Sequence, residues 1–413
     1  MQLRITAPTH IHATVGLPSS KSICNRALII HALTHGTTPL HGLSDCDDTQ
    51  TMVHALQSHE ETIDIGAAGT AMRFLTSFYA IRPGETHILT GSPRMKQRPI
   101  GILVDALRTL GADISYVNEE GFPPLRICGR TLTGRAVALP GNVSSQYISS
   151  LLMTGPMLPD GLTLRLTGRL ISRPYIDLTV RLMREFGAEV SWQTDGDVPT
   201  VRVEPRPYRP RPFTVESDWS AASYWYEITA LCRKATVCLK GLQADSAQGD
   251  SAVAQLFEAL GVRTHYTDQG VRLEKCPRTA CRMDCDFTDC PDLAQTFVVT
   301  CSLLGVPFRF SGLQSLKIKE TDRIAALMAE MRKLGYVLRE EAGDAALSWD
   351  GTRTEAQPLP AIDTYDDHRM ALAFAPASLA VGPLLVREPH VVSKSYPHYW
   401  ADLSRAGFNC TES

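Results

Sequence analysis

One pattern recurs along this chain: an apolar stretch with helical spacing ends in glycine and is followed by a short strand-like segment. The glycines are Gly111, Gly187, Gly261, Gly335 and, more weakly, Gly407, which places them roughly every 74 residues. Glycine after the last apolar residue is typical of the left-handed cap that ends a helix. The period exceeds the roughly 20–50 residues of solenoid repeats. It predicts an α/β protein with about six copies of a unit that has several strands and two helices.

A Pro-rich stretch interrupts this repeat near the middle of the chain. Residues 205–212 contain four prolines, and no helix or central strand continues through such a segment. We interpret the stretch as a domain boundary, with a surface loop inside one domain as the alternative. A helix at 49–57 would be an earlier copy of the unit without its glycine. About three copies then fall on each side of the boundary.

The composition limits the classes of function. The chain has 413 residues, 44% of them hydrophobic and 21% charged, as in an ordinary globular protein. A net charge of −3 favours neither nucleic acid nor anionic lipid. No window approaches the ~20 apolar residues of a membrane helix. We therefore expect no nucleic-acid partner and no membrane partner. Eleven cysteines, an odd number, without an apolar signal region favour reduced thiols in a cytoplasm.

Four of the cysteines cluster at Cys276, Cys281, Cys285 and Cys290. Their spacing is not that of two Cys-x-x-Cys zinc knuckles. A zinc site is one interpretation, and buried or idle thiols are the favoured one.

Five short polar stretches set a Lys or Arg beside Ser, Gly, Thr or an acid, at residues 18–26, 66–73, 94–99, 319–323 and 365–369. Each except 94–99 is expected to open an amphipathic helix, the first capped by Ser19 or Ser20. A helix start presents unpaired N–H groups and partial positive charge, so a nearby cation makes a strong anion site. Four such sites predict a pocket for more than one anionic group.

Several of these stretches also have simpler interpretations. The glycine loop at 66–70 lacks the features of nucleotide-binding loops and is otherwise a strand–helix turn. Ser144, Ser145 and Gln146 could bind hydroxyls or phosphate oxygens, although one of them could be only a helix cap. Asp292 follows a proline at a helix start, where an acid usually faces the helix dipole. Lys394 would by default be solvated.

Taken together and in this order, the segments resemble the 5-enolpyruvylshikimate-3-phosphate (EPSP) synthases, the 3-phosphoshikimate 1-carboxyvinyltransferases of the enolpyruvyl transferase family. The resemblance runs from residue 17 to residue 397, with motifs at 66–73, 93–100, 143–146, 171–177, 319–323 and 367–370. It implies a two-domain inside-out α/β barrel, each domain built from three βαβαββ units, with the active site in the interdomain cleft. It implies that residues 1–13 join 214–413 in one domain and that 14–213 form the other.

The resemblance also implies a reaction. The enolpyruvyl group of phosphoenolpyruvate would pass to the 5-hydroxyl of shikimate 3-phosphate with release of phosphate, by addition–elimination through a tetrahedral intermediate. No metal or organic cofactor is implied. We expect a cytoplasmic monomer whose partners are these two small molecules.

The resemblance assigns site residues by their match to the family motifs. Shikimate 3-phosphate would be bound by Lys21, Ser22, Arg26, Ser144, Ser145, Ser172, Asp292, Ser315 and Lys319. Phosphoenolpyruvate would be bound by Lys21, Gly69, Arg94, Gln146, Arg323, Arg369 and Lys394.

Three of the matched residues are assigned to catalysis. Asp292 would accept a proton and Glu320 would donate one, while Lys21 would stabilise charge on the intermediate. Glu320 must then hold a proton although cations crowd it, which opposes protonation. His368 would orient a neighbour or share proton transfer, in a lesser role than the two acids.

Four positions depart from the family pattern. Ser19 stands where Gly is usual, Ala67 where Asn is common, Phe74 where Pro is common, and Ser315 where Asn is frequent. The first three adjoin the phosphoenolpyruvate residues, so substrate affinity and glyphosate sensitivity stay open.

Two rival functions fit these residues less well. A UDP-N-acetylglucosamine enolpyruvyl transferase would usually carry a reactive Cys on a mobile loop, but 94–99 brings charge and no Cys. A non-catalytic binding protein would have no need of Asp292 and Glu320.

Overall fold

The structure is a computed structural model that describes residues 1–34, 36–341 and 345–412. Its strands are β1 Gln2–Thr6, β2 Ile11–Gly16, β3 Leu40–His41, β4 Thr62–Asp64, β5 Thr86–Thr90, β6 Asp113–Tyr116, β7 Leu125–Cys128, β8 Ala136–Pro140, β9 Leu162–Thr167, β10 Val190–Asp195, β11 Val198–Val203, β12 Phe213–Thr214, β13 Ala235–Lys240, β14 Val262–Thr267, β15 Gly270–Lys275, β16 Met283–Asp286, β17 Phe308–Ser311, β18 Arg339–Glu341, β19 Ala346–Trp349, β20 Ala361–Ile362, β21 Leu384–Arg387 and β22 Asn409–Glu412.

The helices alternate with these strands. They are α1 Lys21–Thr34, α2 Asp47–Gln57, α3 Gly69–Ala80, α4 Gly101–Thr109, α5 Ser145–Thr154, α6 Arg173–Glu185, α7 Trp219–Leu231, α8 Val253–Leu256, α9 Ala294–Leu303, α10 Arg323–Lys333, α11 His368–Phe374, α12 Ser378–Val381 and α13 Tyr399–Arg405.

The chain divides into two compact units. The first unit contains residues 1–19 and 216–413, and the second contains residues 20–215. The limit expected after residue 13 falls inside β2, which pairs with β13 as far as Gly16 and so belongs to the first unit. The Pro-rich stretch 205–212 joins β11 to β12 within the second unit. It is held there by Tyr208, whose hydroxyl donates to the Met153 carbonyl at 2.8 Å.

The predicted repeat is confirmed by the sheets. In the part of the first unit that the structure describes there are three four-stranded sheets, ordered β2-β13-β15-β14, β16-β17-β19-β18 and β20-β21-β1-β22. The second has β4-β5-β7-β6 and β8-β9-β11-β10. In each sheet the first two strands are parallel and the others antiparallel, which is the pairing of a βαβαββ unit. The N-terminal strands β1 and β2 complete two sheets of the first unit.

The sixth copy is reduced, which corrects the expectation of three full βαβαββ units in each domain. Among the described residues of the second unit, the remaining sheet is the parallel pair β3 and β12, with α1 and α2 beside it in sequence. Because α2 ends at Gln57 and β4 begins at Thr62, the chain between them is too short to form the two-stranded hairpin that closes the other copies.

The predicted glycine caps are confirmed. Gly111, Gly187, Gly335 and Gly407 follow α4, α6, α10 and α13, and Gly261 follows the turn after α8. All five have φ between 87° and 103°, a left-handed conformation that glycine adopts without strain from a Cβ. The apolar stretch before Gly261 predicts a longer helix than α8, which ends at Leu256.

The expectation of amphipathic helices is correct for α10 and wrong for α3 and α11. Helix α3 is buried except for Thr70, and α11 is buried along its whole length. These helices lie inside their units, where α3 packs on α5 and α11 packs on α9. The buried surface of these two helices includes polar side chains, among them Arg73 in α3 and His368 and Arg369 in α11, so burial here does not follow the amphipathic pattern.

Candidate functional site

Three of the predicted residues of the first unit, Asp292, Arg323 and Arg369, lie where helices begin. Asp292 is in a 3-10 turn, Pro291–Leu293, that leads into α9. Helix α10 begins at Arg323 after the cap Asp322, and Asp367 caps α11 by accepting from the Arg369 backbone N–H at 2.9 Å. Three separate sequence segments therefore bring charged side chains to helix starts, and these side chains contact one another.

Asp292 is surrounded by three cations. Its Oδ1 accepts from Arg323 Nη1 at 3.1 Å and lies 3.6 Å from Lys319 Nζ. Its Oδ2 accepts from Arg369 Nη2 at 2.8 Å. Asp292 was expected by default to face a helix dipole; its side chain is instead the centre of an ion-pair cluster.

Glu320 lies between two cations, Arg323 and Lys394. Its Oε2 accepts from Arg323 Nη2 at 2.9 Å, and its Oε1 is 3.3 Å from Lys394 Nζ. Lys394 is buried, not solvated as the default interpretation had it. Arg323 thus contacts both acids that were assigned to proton transfer.

Burial and charge act in opposite directions on the two central cations. Burial by itself lowers the pKa of Arg323, but the charges of Asp367, Glu320 and Asp292 outweigh it and raise that pKa. For Lys319, burial lowers the pKa and the attraction of Asp292 compensates only in part. Arg323 is therefore a permanent charge, whereas Lys319 loses its proton more easily than an ordinary lysine.

Sequence reasoning missed three acidic or phenolic groups of this cluster. Tyr224 accepts from Arg369 Nη1 at 3.2 Å, and burial raises the pKa of its phenol to about 12 despite that arginine. Asp250 accepts from the Ser220 hydroxyl, and burial followed by repulsion from Asp292 raises its pKa to about 7. Asp367 lies in the polar stretch 365–369, but the sequence assigned it no role. Tyr224 and Asp250 are isolated in sequence, so no local signal marked them.

In the second unit, Lys21 begins α1 and its Nζ lies 3.0 Å from Asp48 Oδ2 in the first turn of α2. Both side chains are largely buried. Asp48 was not singled out from the sequence. Ser20, one of the two expected caps, is buried, and its hydroxyl has no hydrogen-bond partner among the described residues.

Arg26 is directed into the second unit. Its Nε donates to Thr179 Oγ1 at 2.7 Å, its Nη2 to Ser149 Oγ at 3.2 Å, and its Nη1 to the Ser22 carbonyl at 2.8 Å. These bonds tie α1 to α5 and α6. Burial lowers the pKa of Arg26 to about 10. Phe74, one of the departures from the family pattern, lies under the guanidinium at 5.4 Å.

The starts of α3 and α5 are adjacent. Gln146 Nε2 donates to Thr70 Oγ1 at 3.2 Å, and Ser144 caps α5 by accepting from the Gln146 backbone N–H at 3.3 Å. Gly69 begins α3 against a neighbouring arginine: a Cβ added there would lie 2.7 Å from Arg98 Nη1. Two residues predicted for phosphoenolpyruvate, Gly69 and Gln146, therefore lie close together.

The remaining predicted residues hold distinct positions. Ser145 is the first residue of α5, and Arg94 is exposed just before the 3-10 turn Met95–Gln97. Ser172, buried before α6, has φ 54°, a left-handed conformation that is strained for serine. Ser315 lies in the 3-10 helix Gln314–Ile318 that precedes Lys319.

Two further features bear on cofactors and membranes. In the described residues no group of three or more His, Cys, Asp or Glu could hold a metal ion, and all eleven cysteines are free. Within the clustered thiols, Cys281 is exposed, and burial raises the pKa of Cys285 to about 11. Over the same part of the chain, every helix is too short or too polar to cross a bilayer.

Comparisons with known proteins identify the family to which the chain is similar. The family model of EPSP synthase (3-phosphoshikimate 1-carboxyvinyltransferase) matches residues 5–61 and 57–403. A 3-phosphoshikimate 1-carboxyvinyltransferase of Bacteroides fragilis is 61% identical over 408 residues, covering 99% of this chain and 98% of that protein. One of Vibrio cholerae is 37% identical, covering 96% and 97%.

Solved structures with low sequence identity show the same fold. The EPSP synthase of Acinetobacter baumannii has a TM-score of 0.77 at 20% identity over both full chains. The enolpyruvyl transferase NikO of Streptomyces tendae has a TM-score of 0.74 at 16% identity, covering 100% of this chain and 99% of that one. With a full-length family match and relatives above 30% identity, this chain belongs to the EPSP synthase family.

Proposed function

We propose that this chain transfers the enolpyruvyl group of phosphoenolpyruvate to the 5-hydroxyl of shikimate 3-phosphate and releases phosphate. The family takes its name from this reaction, which is the transferase step of the shikimate pathway. That pathway leads to the aromatic amino acids. The single observation that carries the proposal is the contact of Arg323 with both Asp292 and Glu320, because it brings two acids and a fixed cation together.

The phosphoenolpyruvate residues proposed in the first unit are Arg323, Arg369 and Lys394. Each of these cations already contacts Asp292 or Glu320, so an anionic substrate would exchange contacts with those acids. In the second unit we assign Lys21, Gly69, Arg94 and Gln146 to the same substrate. The bond between Gln146 and Thr70 supports a role for the neighbouring starts of α3 and α5.

Shikimate 3-phosphate is assigned to a mostly hydroxyl-bearing set: Lys21, Ser22, Arg26, Ser144, Ser145, Ser172, Asp292, Ser315 and Lys319. Serine hydroxyls and helix N–H groups suit phosphate and sugar oxygens. The internal bonds of Arg26 support a part for it in fixing α1 against α5 and α6. Lys319, with its lowered pKa, suits a substrate whose phosphate would restore its charge.

The chemistry proceeds in two stages. In the addition, the 5-hydroxyl oxygen bonds to C2 of phosphoenolpyruvate, Asp292 takes the hydroxyl proton, and Glu320 gives a proton to C3. In the elimination, the Glu320 carboxylate takes a proton from the new methyl group, the C2–C3 double bond forms again, the C2–O bond to phosphate breaks, and the proton held by Asp292 leaves with the phosphate. Lys21 stabilises the charge on the intermediate and on the departing phosphate. Phosphate and carboxylate near Arg323 and Lys394 would offset those cations and ease protonation of Glu320.

A coupled phosphate-release assay tests the proposal. Purified protein should release phosphate only when both substrates are present, and Glu320→Gln should abolish most of that release. UDP-N-acetylglucosamine in place of shikimate 3-phosphate should give no release. A protein that binds both substrates without turnover would contradict the proposal and favour a binding function.

We further propose that the protein acts in the cytoplasm as a monomer. The eleven free cysteines support a reducing compartment. Light scattering coupled to gel filtration should give a mass near 45.3 kDa, and a dimer mass would contradict the monomer.

A further inference from the structure

One carboxylate of the first unit holds two arginines at once. Arg323 Nε donates to Asp367 Oδ2 at 2.6 Å, and Arg323 Nη2 donates to Oδ1 at 3.2 Å, a two-bond fork. The same Oδ1 accepts the backbone N–H of Arg369 at 2.9 Å and so caps α11. Asp367 is fully buried and Arg323 almost so.

The fork decides where the rest of the Arg323 guanidinium lies. With Nε turned toward Asp367, Nη1 is directed to Asp292 and Nη2 is shared with Glu320. A guanidinium is planar, so fixing one edge fixes the direction of the other N–H groups. The cap sets the start of α11 and with it the stem of Arg369.

We propose that Asp367 is a positioning residue for phosphoenolpyruvate: it fixes Arg323 through the fork and Arg369 through the cap, so that both arginines present donors to one anion. This inference rests on the proposed function. Asp367 itself is not assigned to contact substrate or to move a proton.

Charge and position make opposite predictions for the loss of this acid. The ion pairs of the cluster join four cations, Arg323, Arg369, Lys319 and Lys394, to three acids, Asp292, Glu320 and Asp367. Removing the charge of Asp367 makes the site more positive, so electrostatics alone would tighten the binding of phosphoenolpyruvate. Losing the fork frees the guanidinium to rotate, so positioning predicts weaker binding.

Asp367→Asn separates the two effects. With its oxygen at the Oδ1 position the asparagine still caps α11, while its NH₂ group opposes Arg323 Nε–H. The matched control is Asp322→Asn. Asp322 caps α10 by accepting from the Ile324 and Ala325 N–H groups, both at 3.1 Å, and makes the same kind of backbone contact.

The experiment measures steady-state kinetics with each substrate varied in turn. Asp367→Asn should raise KM for phosphoenolpyruvate by ~10- to 100-fold and change KM for shikimate 3-phosphate by less than about 3-fold. Asp322→Asn should leave both within about 3-fold. Tighter phosphoenolpyruvate binding, equal rises for both substrates, or the same change in the control would overturn the proposal.

A second readout does not depend on turnover. The ¹⁵N–¹H NMR signal of Arg323 Nε–H, assigned by its loss in Arg323→Lys, should be protected from exchange in the wild type and in Asp322→Asn. It should lose protection in Asp367→Asn. If the wild type lacks activity, the proposed function fails and this signal alone decides whether the fork exists. If Asp367→Asn and the cap-preserving Asp367→Ser both fail to fold while Asp322→Asn folds, Asp367 is a stability residue and the proposal is wrong.

Discussion

The site residues of the two units differ in how their charges are satisfied. In the first unit, Arg323 and Arg369 are bonded to the carboxylates of Asp292, Glu320 and Asp367. In the second unit, Arg26 is bonded to hydroxyls and carbonyls, and the remaining predicted residues are mostly serines, an amide and a glycine at helix starts. Among the predicted residues of the second unit, Lys21 forms an ion pair with Asp48.

This difference indicates a division of labour. Proton transfer needs acids whose affinity for protons is set by neighbouring charges, and the first unit supplies them. Binding a phosphate needs N–H and O–H donors of fixed direction, and the second unit supplies those. The comparison therefore predicts losses of turnover from changes to the two proton-transfer acids of the first unit, Asp292 and Glu320, and mainly losses of affinity from changes in the second unit, with Lys21 contributing to both.

The largest effect should follow from Glu320→Gln. The amide keeps the size of the side chain but cannot give or take the proton, so kcat should fall by ~10²- to 10⁴-fold with little change in either KM. Stopped-flow or steady-state phosphate release would measure it. Glu340→Gln, which breaks a surface ion pair with Lys317, is the matched control and should keep normal kcat. A loss confined to KM would contradict the division.

Lys21→Met tests the one second-unit residue with an assigned catalytic part. Loss of its charge should lower kcat by ~10²-fold and raise KM for both substrates, since it is assigned to both. Lys96→Met, at the other lysine of residues 20–215, is exposed and should behave as wild type. Normal turnover in Lys21→Met would remove Lys21 from the mechanism.

Ser172 offers a smaller and more selective test. Ser172→Ala should raise KM for shikimate 3-phosphate by ~10-fold through loss of one hydrogen bond to a charged group. Ser172→Gly should lose the same affinity but gain ~1 kcal/mol of stability, because glycine relieves the left-handed strain at φ 54°. Substrate titrations and urea unfolding measure the two effects. Unchanged KM in both variants would exclude Ser172 from the binding site.

The smallest effect concerns stability and pH. Because the pKa of Asp250 is raised to about 7, the folded protein keeps a proton that the unfolded chain loses near pH 4. The stabilisation is complete below about pH 4 and is lost as the pH rises through about 7. In Asp250→Asn the free energy of unfolding should therefore decrease less between pH 4 and pH 8 than in the wild type. Urea unfolding at several pH values, with exposed Asp268→Asn as control, checks this; equal slopes in all three proteins would contradict it.

Local sequence patterns predicted the structure correctly where the backbone conformation requires a particular residue type. The glycine caps after α4, α6 and α10 follow from the left-handed turn that ends a helix, and they revealed the repeat. The same signals could not reveal that α3 and α11 are buried all round. Residues such as Arg73 and His368 look polar along the chain, but neighbouring helices cover them. Burial on every side is a property of the packed unit.

The sequence by itself determined the repeat, the α/β class, the helix starts and the chemical kinds of residue placed at them, because each depends on near neighbours in the chain. Only the tertiary structure decided which charges meet. Asp292 and Arg369 are 77 positions apart, yet their side chains are 2.8 Å apart. Tyr224 and Asp250 belong to the site because long-range packing fixes contacts that no local pattern encodes.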